Sequence, residues 1–285
     1  MLSRKRASNL WLGTQPVNAI LSCLALQKIF QPRSYIMRSL FATAAIYSTL
    51  LAMNGLSQDV TTLIRKADQF DAQEQTDNAI EALKQAEKIS PNNPDVLIKL
   101  SQDYSDKIDA VKDRSEKLHF ANLCLEYAKM AVRAAPDNSD AHVCLSIAYG
   151  KMTDFVDNKT KMEYSKVVKS EAEKGVELSP KNDVALLILA RWNFDMATLN
   201  PILRGIAQAL YGQLPPASKE KAIEYFQKAI AAAPQRIINH AEYAKALEAM
   251  GRKQEARAEW LKVRQLKPTD AEDRQYVAEA EERLK

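Results

Sequence analysis

Ala244-Leu247…Ala256-Trp260-Val263-Pro268 repeats a spacing first met in Ala67-Phe70…Ala79-Leu83-Ala86-Pro91. A small residue is followed three positions later by a bulky one. After a gap come small, large, small and proline, at steps of 4, 3 and 5. Three more copies lie between: Ser101-Tyr104…Cys124-Ala128-Ala131-Pro136, Ser146-Tyr149…Val168-Ala172-Gly175-Pro180 and Ala190-Asn193…Ala222-Phe226-Ala229-Pro234. Each half of a copy has helical period. Small residues let two antiparallel helices approach closely, and the large residue one turn away fills the groove between them. The proline ends the second helix, because it lacks an N–H and disfavours helix in the residue before it. Asn, Asp and Ser near those prolines, as in Ser90-Pro91-Asn92-Asn93, suit turns and helix N-caps.

Five such copies predict an all-α chain, a tetratricopeptide-type superhelix (an α-α solenoid) of about five helix pairs. The polar segment Ala271–Lys285, with Glu272, Asp273, Arg274, Glu279, Glu281, Glu282 and Arg283, is expected to be the C-terminal capping helix. The two halves of a copy are 9 residues apart in the first and last copies, but 20, 19 and 29 apart in the others. The extra chain in the second and third copies is expected to lengthen both helices by a turn or two. The extra in the fourth, Asn200–Ser218, is apolar and closed by Pro215-Pro216. Leu203, Ile206, Ala207 and Leu210 recur there at helical spacing, with Tyr211 next, so a short amphipathic helix is predicted. It is expected to fold back, burying Leu203, Ile206 and Leu210 against Phe194 and Leu187. The alternative is an arm that projects to a membrane or a partner.

Residues 59–285 carry the repeats, and 1–58 are a leader outside the fold. No Asp or Glu occurs before Asp59, while Arg4, Lys5, Arg6, Lys28, Arg33 and Arg38 do. These six positive charges exceed the chain's formal net of +4, so the repeat region is net negative and makes no case for nucleic-acid binding. Met37-Arg-Ser followed by apolar Leu40–Met53 and then Gly55 and Ser57 reads as a secretory signal peptide with an internal start near Met37. That implies an exported or periplasmic protein. A mitochondrial presequence and a retained membrane anchor are the alternatives.

The chain has no Gly-rich phosphate loop, His-Glu-x-x-His, Cys-x-x-Cys or Gly-x-Ser-x-Gly, and no catalytic, cofactor or metal site is expected. Cys124 takes a small-residue position and reads as a buried structural thiol. A Cys124–Cys144 bridge is the less favoured alternative, and Cys23 lies in the leader. His142 and His240 sit at matching places in their helices, which suggests packing or surface rather than a ligand set. First helices of such arrays line the concave side. On the fourth, Leu187, Arg191 and Phe194 share one stripe, and with Ile147 and Lys245 they form the predicted ligand groove. Arg191 and Lys245 are expected to meet an acidic group. The groove positions Asp68, Gln102, Ile147, Arg191 and Lys245 do not make the Lys/Asn clamp that captures acidic chaperone tails.

Leu189-Ala190-Arg191-Trp192, followed by the insertion ending Leu210-Tyr211-Gly212-Gln213-Leu214-Pro215-Pro216-Ala217-Ser218, resembles the regulator of microtubule dynamics family. The resemblance covers about residues 59–270, and the long second and third units fit it. It implies a tetratricopeptide protein associated with microtubules and spindle poles. The function expected is a non-enzymatic scaffold or adaptor for a protein or peptide, including microtubules in a eukaryote. The alternatives are an exported bacterial repeat protein in an envelope assembly, and a carrier of an apolar ligand such as a lipid.

Overall fold

A computed structural model describes residues 59–285, apart from Pro215 and the side chains of Leu203, Leu210 and Tyr211. Gln58–Lys285 is one compact unit. Its helices are α1 over 59–71, α2 Thr76–Ile89, α3 Pro94–Ala110, α4 Arg114–Ala134, α5 Ser139–Met152, α6 Asn158–Leu178, α7 Asp183–Thr198, α8 Pro201–Tyr211, α9 Lys219–Ala232, α10 Ile237–Ala249, α11 Lys253–Gln265 and α12 Ala271–Arg283. No strand occurs among the described residues. The pairs α1/α2, α3/α4, α5/α6, α7/α9 and α10/α11 are the five copies, α8 is the insertion, and α12 is the cap.

The repeated spacing is the packing code. Ala67, Ala79, Leu83 and Ala86 are buried in the first pair, and Ala244, Leu247, Ala256, Trp260 and Val263 in the last. Where the first small residue is serine, its hydroxyl is satisfied within the pair. Ser101 Oγ donates to the Cys124 carbonyl at 3.1 Å and Ser146 Oγ to the Val168 carbonyl at 2.8 Å. The second helices end alike. The N–H groups of Ser90, Ala135, Ser179 and Ala233 donate to the carbonyls of Ala86, Ala131, Gly175 and Ala229, just before each proline turn. The side chains of Asn93, Asn138 and Asn182 then cap the next first helix by accepting from its backbone N–H groups. Gly175 stands where α6 comes closest to its neighbours: a Cβ there would lie 3.2 Å from both the Ala185 Cβ and the Val143 Cγ2.

The extra length in the second and third pairs goes mainly to the second helices. α4 and α6 each have 21 residues, against 14 in α2 and α9. First helix α3 reaches 17, but α5 stays at 14 and is followed by a short 3-10 turn, Thr153–Phe155. The expectation that both helices grow therefore holds for one pair only. Asp157 explains the stop: its carboxylate accepts from the Lys159 and Thr160 N–H groups and starts α6 anew.

α8 meets the body through Ala207, which packs with Leu199 and Ala217 against buried Trp192, Met196 and Leu214. That is a different cluster from the one holding Leu187 and Phe194. Ile206 is 50% exposed and Ile202 72%, so the expected burial of Ile206 against Phe194 and Leu187 does not occur. The reason is local. Trp192 points toward α6, donating to the Ser165 carbonyl at 3.0 Å, and the insertion is drawn to that side. The side chains of Leu203, Leu210 and Tyr211 lie outside the described residues.

α12 covers the end of the array. Tyr276, Val277 and Leu284 pack on Trp260, Val263, Ile237 and Ala241, and its outer side is polar. It also reaches back across the array. Arg274 of α12 pairs at 2.5 Å with Glu74, in the turn between α1 and α2. The superhelix therefore curls until its cap touches its first pair.

Candidate interaction face

Successive first helices are tied by ion pairs: Asp68 of α1 to Lys99 of α3, Asp109 of α3 to Lys151 of α5 at 2.5 Å, and Arg191 of α7 to Glu242 of α10 at 3.3 Å. Lys245 of α10 pairs with Glu279 of α12 at 3.0 Å. These contacts mark two stretches of the first-helix face, with no ion pair between α5 and α7 among the described residues. Asp106, Asp195 and Glu272 on it have exposed surfaces, yet loss of surrounding solvent is the largest cause raising the pKa of each. Packing of neighbouring helices removes part of the water around each, which disfavours the charged form.

The predicted groove residues separate on inspection. Arg191 and Lys245 do come together, and the acidic groups they meet are the protein's own. Glu242 pairs with both, at 3.3 Å from Arg191 and 3.4 Å from Lys245. Lys245 also lies 4.6 Å above the Tyr276 ring, whose hydroxyl donates to Glu242 at 3.3 Å. Burial, then the charges of Glu242 and Glu272, push the Tyr276 hydroxyl well above its usual range, so it stays a donor. Leu187 is only 6% exposed and packs with Phe226, Tyr243 and Leu247, so it is core and not groove lining. Its stripe neighbour Phe194 is half-buried on the same cluster, and Ile147 is half-buried on α5.

Sequence reading missed Glu242, Tyr276 and the carboxylates at the other end of the face. Asp71 of α1, Asp103 and Asp106 of α3 and Glu272 of α12 gather there. The signal was present as acid at steps of three, Asp68-Asp71 and Asp103-Asp106-Asp109, on two successive first helices. Among the described residues, no group of three or more His, Cys, Asp or Glu is placed to hold a metal ion. Cys124 and Cys144 are free, buried thiols, with no bridge between them. Burial raises the Cys124 thiol to about 11 despite a contact with Ser101, which suits an inert structural role.

The two histidines form matching staples. His142 Nδ1 lies 2.6 Å from Glu171 and Nε2 lies 2.8 Å from the Pro136 carbonyl. His240 Nδ1 lies 2.7 Å from Glu259 and Nε2 lies 3.1 Å from the Pro234 carbonyl. Each ring ties a first helix to its own second helix and to the preceding proline turn.

Paired helices with this spacing, a polar cap and a face built from first helices define a tetratricopeptide-repeat solenoid. A thermophilic tetratricopeptide protein of Thermus thermophilus shares the fold at a TM-score of 0.57 and 22% identity, over 78% of this chain and 98% of that one. The Pseudomonas aeruginosa pilF protein does so at 0.51 and 15%, over 81% and 92%. The profile described as "Regulator of microtubule dynamics protein 1-3" matches residues 63–285, and the chain belongs to that family. Regulator of microtubule dynamics protein 3 of Xenopus laevis is 26% identical over 245 residues, 83% of this chain and 52% of its own length. Protein 1 of Mus musculus is 31% identical over 105 residues, 37% of this chain and 34% of its own. The chain thus spans about half the length of the first relative and about a third of the second.

Proposed function

We propose that this chain is a binding scaffold without catalysis of its own, whose protein partner docks on the inner face of the first helices. By relation to its family, microtubules are among the partners. The observation that carries the reading is the face built from successive first helices. Four cross-helix ion pairs lie along it between α1 and α12, and Arg191 and Lys245 stand in its second half. A site assembled from many successive repeats fits an extended partner better than a small substrate.

Co-pelleting of the full chain with stabilised microtubules tests this. Arg191→Glu with Lys245→Glu is expected to cut pelleting at least about tenfold. Circular dichroism checks that the variant still folds, because Glu242, which both cations meet, is only 14% exposed. Unchanged pelleting by the variant would reject the face, and no pelleting by the wild type would reject microtubules as partner.

A second reading rests on α8. Ile202 and Ile206 present an apolar side to solvent, which favours an arm that contacts a membrane or a partner. Ile202→Asp with Ile206→Asp should then leave thermal stability unchanged while association is lost. A fall of several degrees in Tm would mean that the arm is packed instead. For the leader we propose export from an internal start near Met37. Mass spectrometry of the native N-terminus checks it, and an intact Met1 would overturn it.

A further inference from the structure

Like charges three residues apart on one helix oppose its formation. Asp68 and Asp71 on α1, and Asp103, Asp106 and Asp109 on α3, keep that arrangement on adjacent helices. A local conflict of this kind marks a site where something other than stability is selected. The nearby cations do not resolve it. Lys99 is engaged by Asp68, and Lys151 by Asp109. Asp71 and Asp106 have no ion pair among the described residues. Asp103 lies beneath them, 4% exposed, and its Oδ2 has no hydrogen-bond partner among the described residues.

The curl of the array adds another carboxylate. The Glu74–Arg274 contact brings α12 over this end of the face, close enough for Glu272 to act on Asp106 and for Asp109 to act on Glu272. A buried carboxylate without a cation is costly, and carboxylates crowded beside it raise the cost further. Lys99 and Lys151 offset them only in part, each being held by another carboxylate, whereas the α7–α10–α12 end of the same face neutralises itself through Arg191, Lys245, Glu242 and Glu279.

We propose that the acidic cluster of Asp71, Asp106 and Glu272, with Asp103 beneath it, receives lysine or arginine side chains from a basic segment of the protein partner. This rests on the reading that the inner face is where a partner docks, and it names the chemistry of that partner. An ammonium or guanidinium seated between α3 and α12 gains charge-assisted hydrogen bonds from carboxylates that otherwise have no cationic partner. A long, flexible side chain suits this acidic cluster better than a metal ion, for which these carboxylates are not placed.

The test is fluorescence anisotropy of the full chain with labelled nona-lysine, and with nona-glutamate of equal length, at moderate salt. Nona-lysine should bind, and nona-glutamate should not. Asp71→Asn with Asp106→Asn should weaken nona-lysine at least about tenfold, and Asp71→Asn alone about threefold. The same change in charge elsewhere, Asp137→Asn with Glu163→Gln on exposed positions, should change it less than about twofold. Failure of nona-lysine to bind, equal effects of the two double variants, or equal binding of nona-glutamate would each overturn the proposal. Microtubule pelleting separates the two levels. Pelleting that depends on Arg191 and Lys245 without nona-lysine binding sinks the basic-partner inference alone. Loss of that dependence removes the docking face as well.

Discussion

Replacing Asp103 with Asn should stabilise the protein, and more so as the pH rises. Asp103 is almost wholly buried on α3. Burial first, then the charges of Asp71 and Asp106, with Asp68 last, raise its pKa to about 8 against an opposing effect of Lys99. In the unfolded chain the same carboxyl ionises near 4. Between those values the unfolded chain releases this proton and the folded chain retains it. Stability is therefore lost as pH climbs, at up to about 1.4 kcal/mol per unit, and the loss is complete above about pH 8. The ceiling is on the order of 5 kcal/mol. Relaxation of the site lowers it, and the Asn carbonyl inherits an unpaired position that itself costs about 1–3 kcal/mol. A net gain of about 1–3 kcal/mol at pH 9 remains, against roughly none at pH 4. At about 2–4 °C per kcal/mol for a domain of this size, the expected rise in Tm at pH 9 is about 3–10 °C. Helical circular dichroism melts at pH 4, 6, 8 and 9 measure it. A Tm difference that is the same at pH 4 and pH 9, or a variant less stable at pH 9, would refute the reasoning and show that Asp103 is held by a favourable partner.

His240 gives the opposite sign. Burial alone would lower its pKa, but the Glu259 hydrogen bond, the Pro234 carbonyl and the Glu259 charge outweigh that and raise it. Its contribution is present in full below the unfolded value near 6.5 and is lost as pH rises through the folded one. The Tm deficit of His240→Gln, from losing about 1–2 kcal/mol, should thus be larger at pH 6 than at pH 9; melts at both pH values check this. Gly175→Ala should be near neutral, because about 1 kcal/mol of helix propensity offsets contacts at 3.2 Å. Gly175→Leu should cost at least about 2 kcal/mol by overpacking α5 and α7, read by urea unfolding. An acidic peptide with a free C-terminus should bind more weakly than about 100 μM by calorimetry, since Asp68 and its neighbours repel it; micromolar binding would contradict this.

The helix pairs were legible because small residues at fixed steps can only serve close helix contact, and Ala67, Ala131, Ala190 and Ala244 are all buried. The cap was legible for the converse reason, a helix polar on all but one stripe. The face was only partly legible. Arg191 and Lys245 could be placed on it from helical period, but their partners Glu242 and Glu279 come from the next helix and from the cap. Leu187 misled because period alone does not tell the core-facing side of a helix that is apolar almost all round. The acidic cluster depends on how tightly the superhelix curls. No local pattern encodes that Glu272 will stand near Asp106, 166 residues earlier in the chain. The packing of α8 was decided by the direction of Trp192, which periodicity left open.

Hydroxyl-radical footprinting of the full chain, with and without stabilised microtubules, tests the docking face most directly. Phe194 and Tyr276 on the first helices and cap should be protected by the partner, while Tyr225 on α9 and Leu118 on α4 keep their reactivity. Protection of Tyr225 and Leu118 with Phe194 and Tyr276 unchanged would place the partner on the second helices and contradict binding by the inner face.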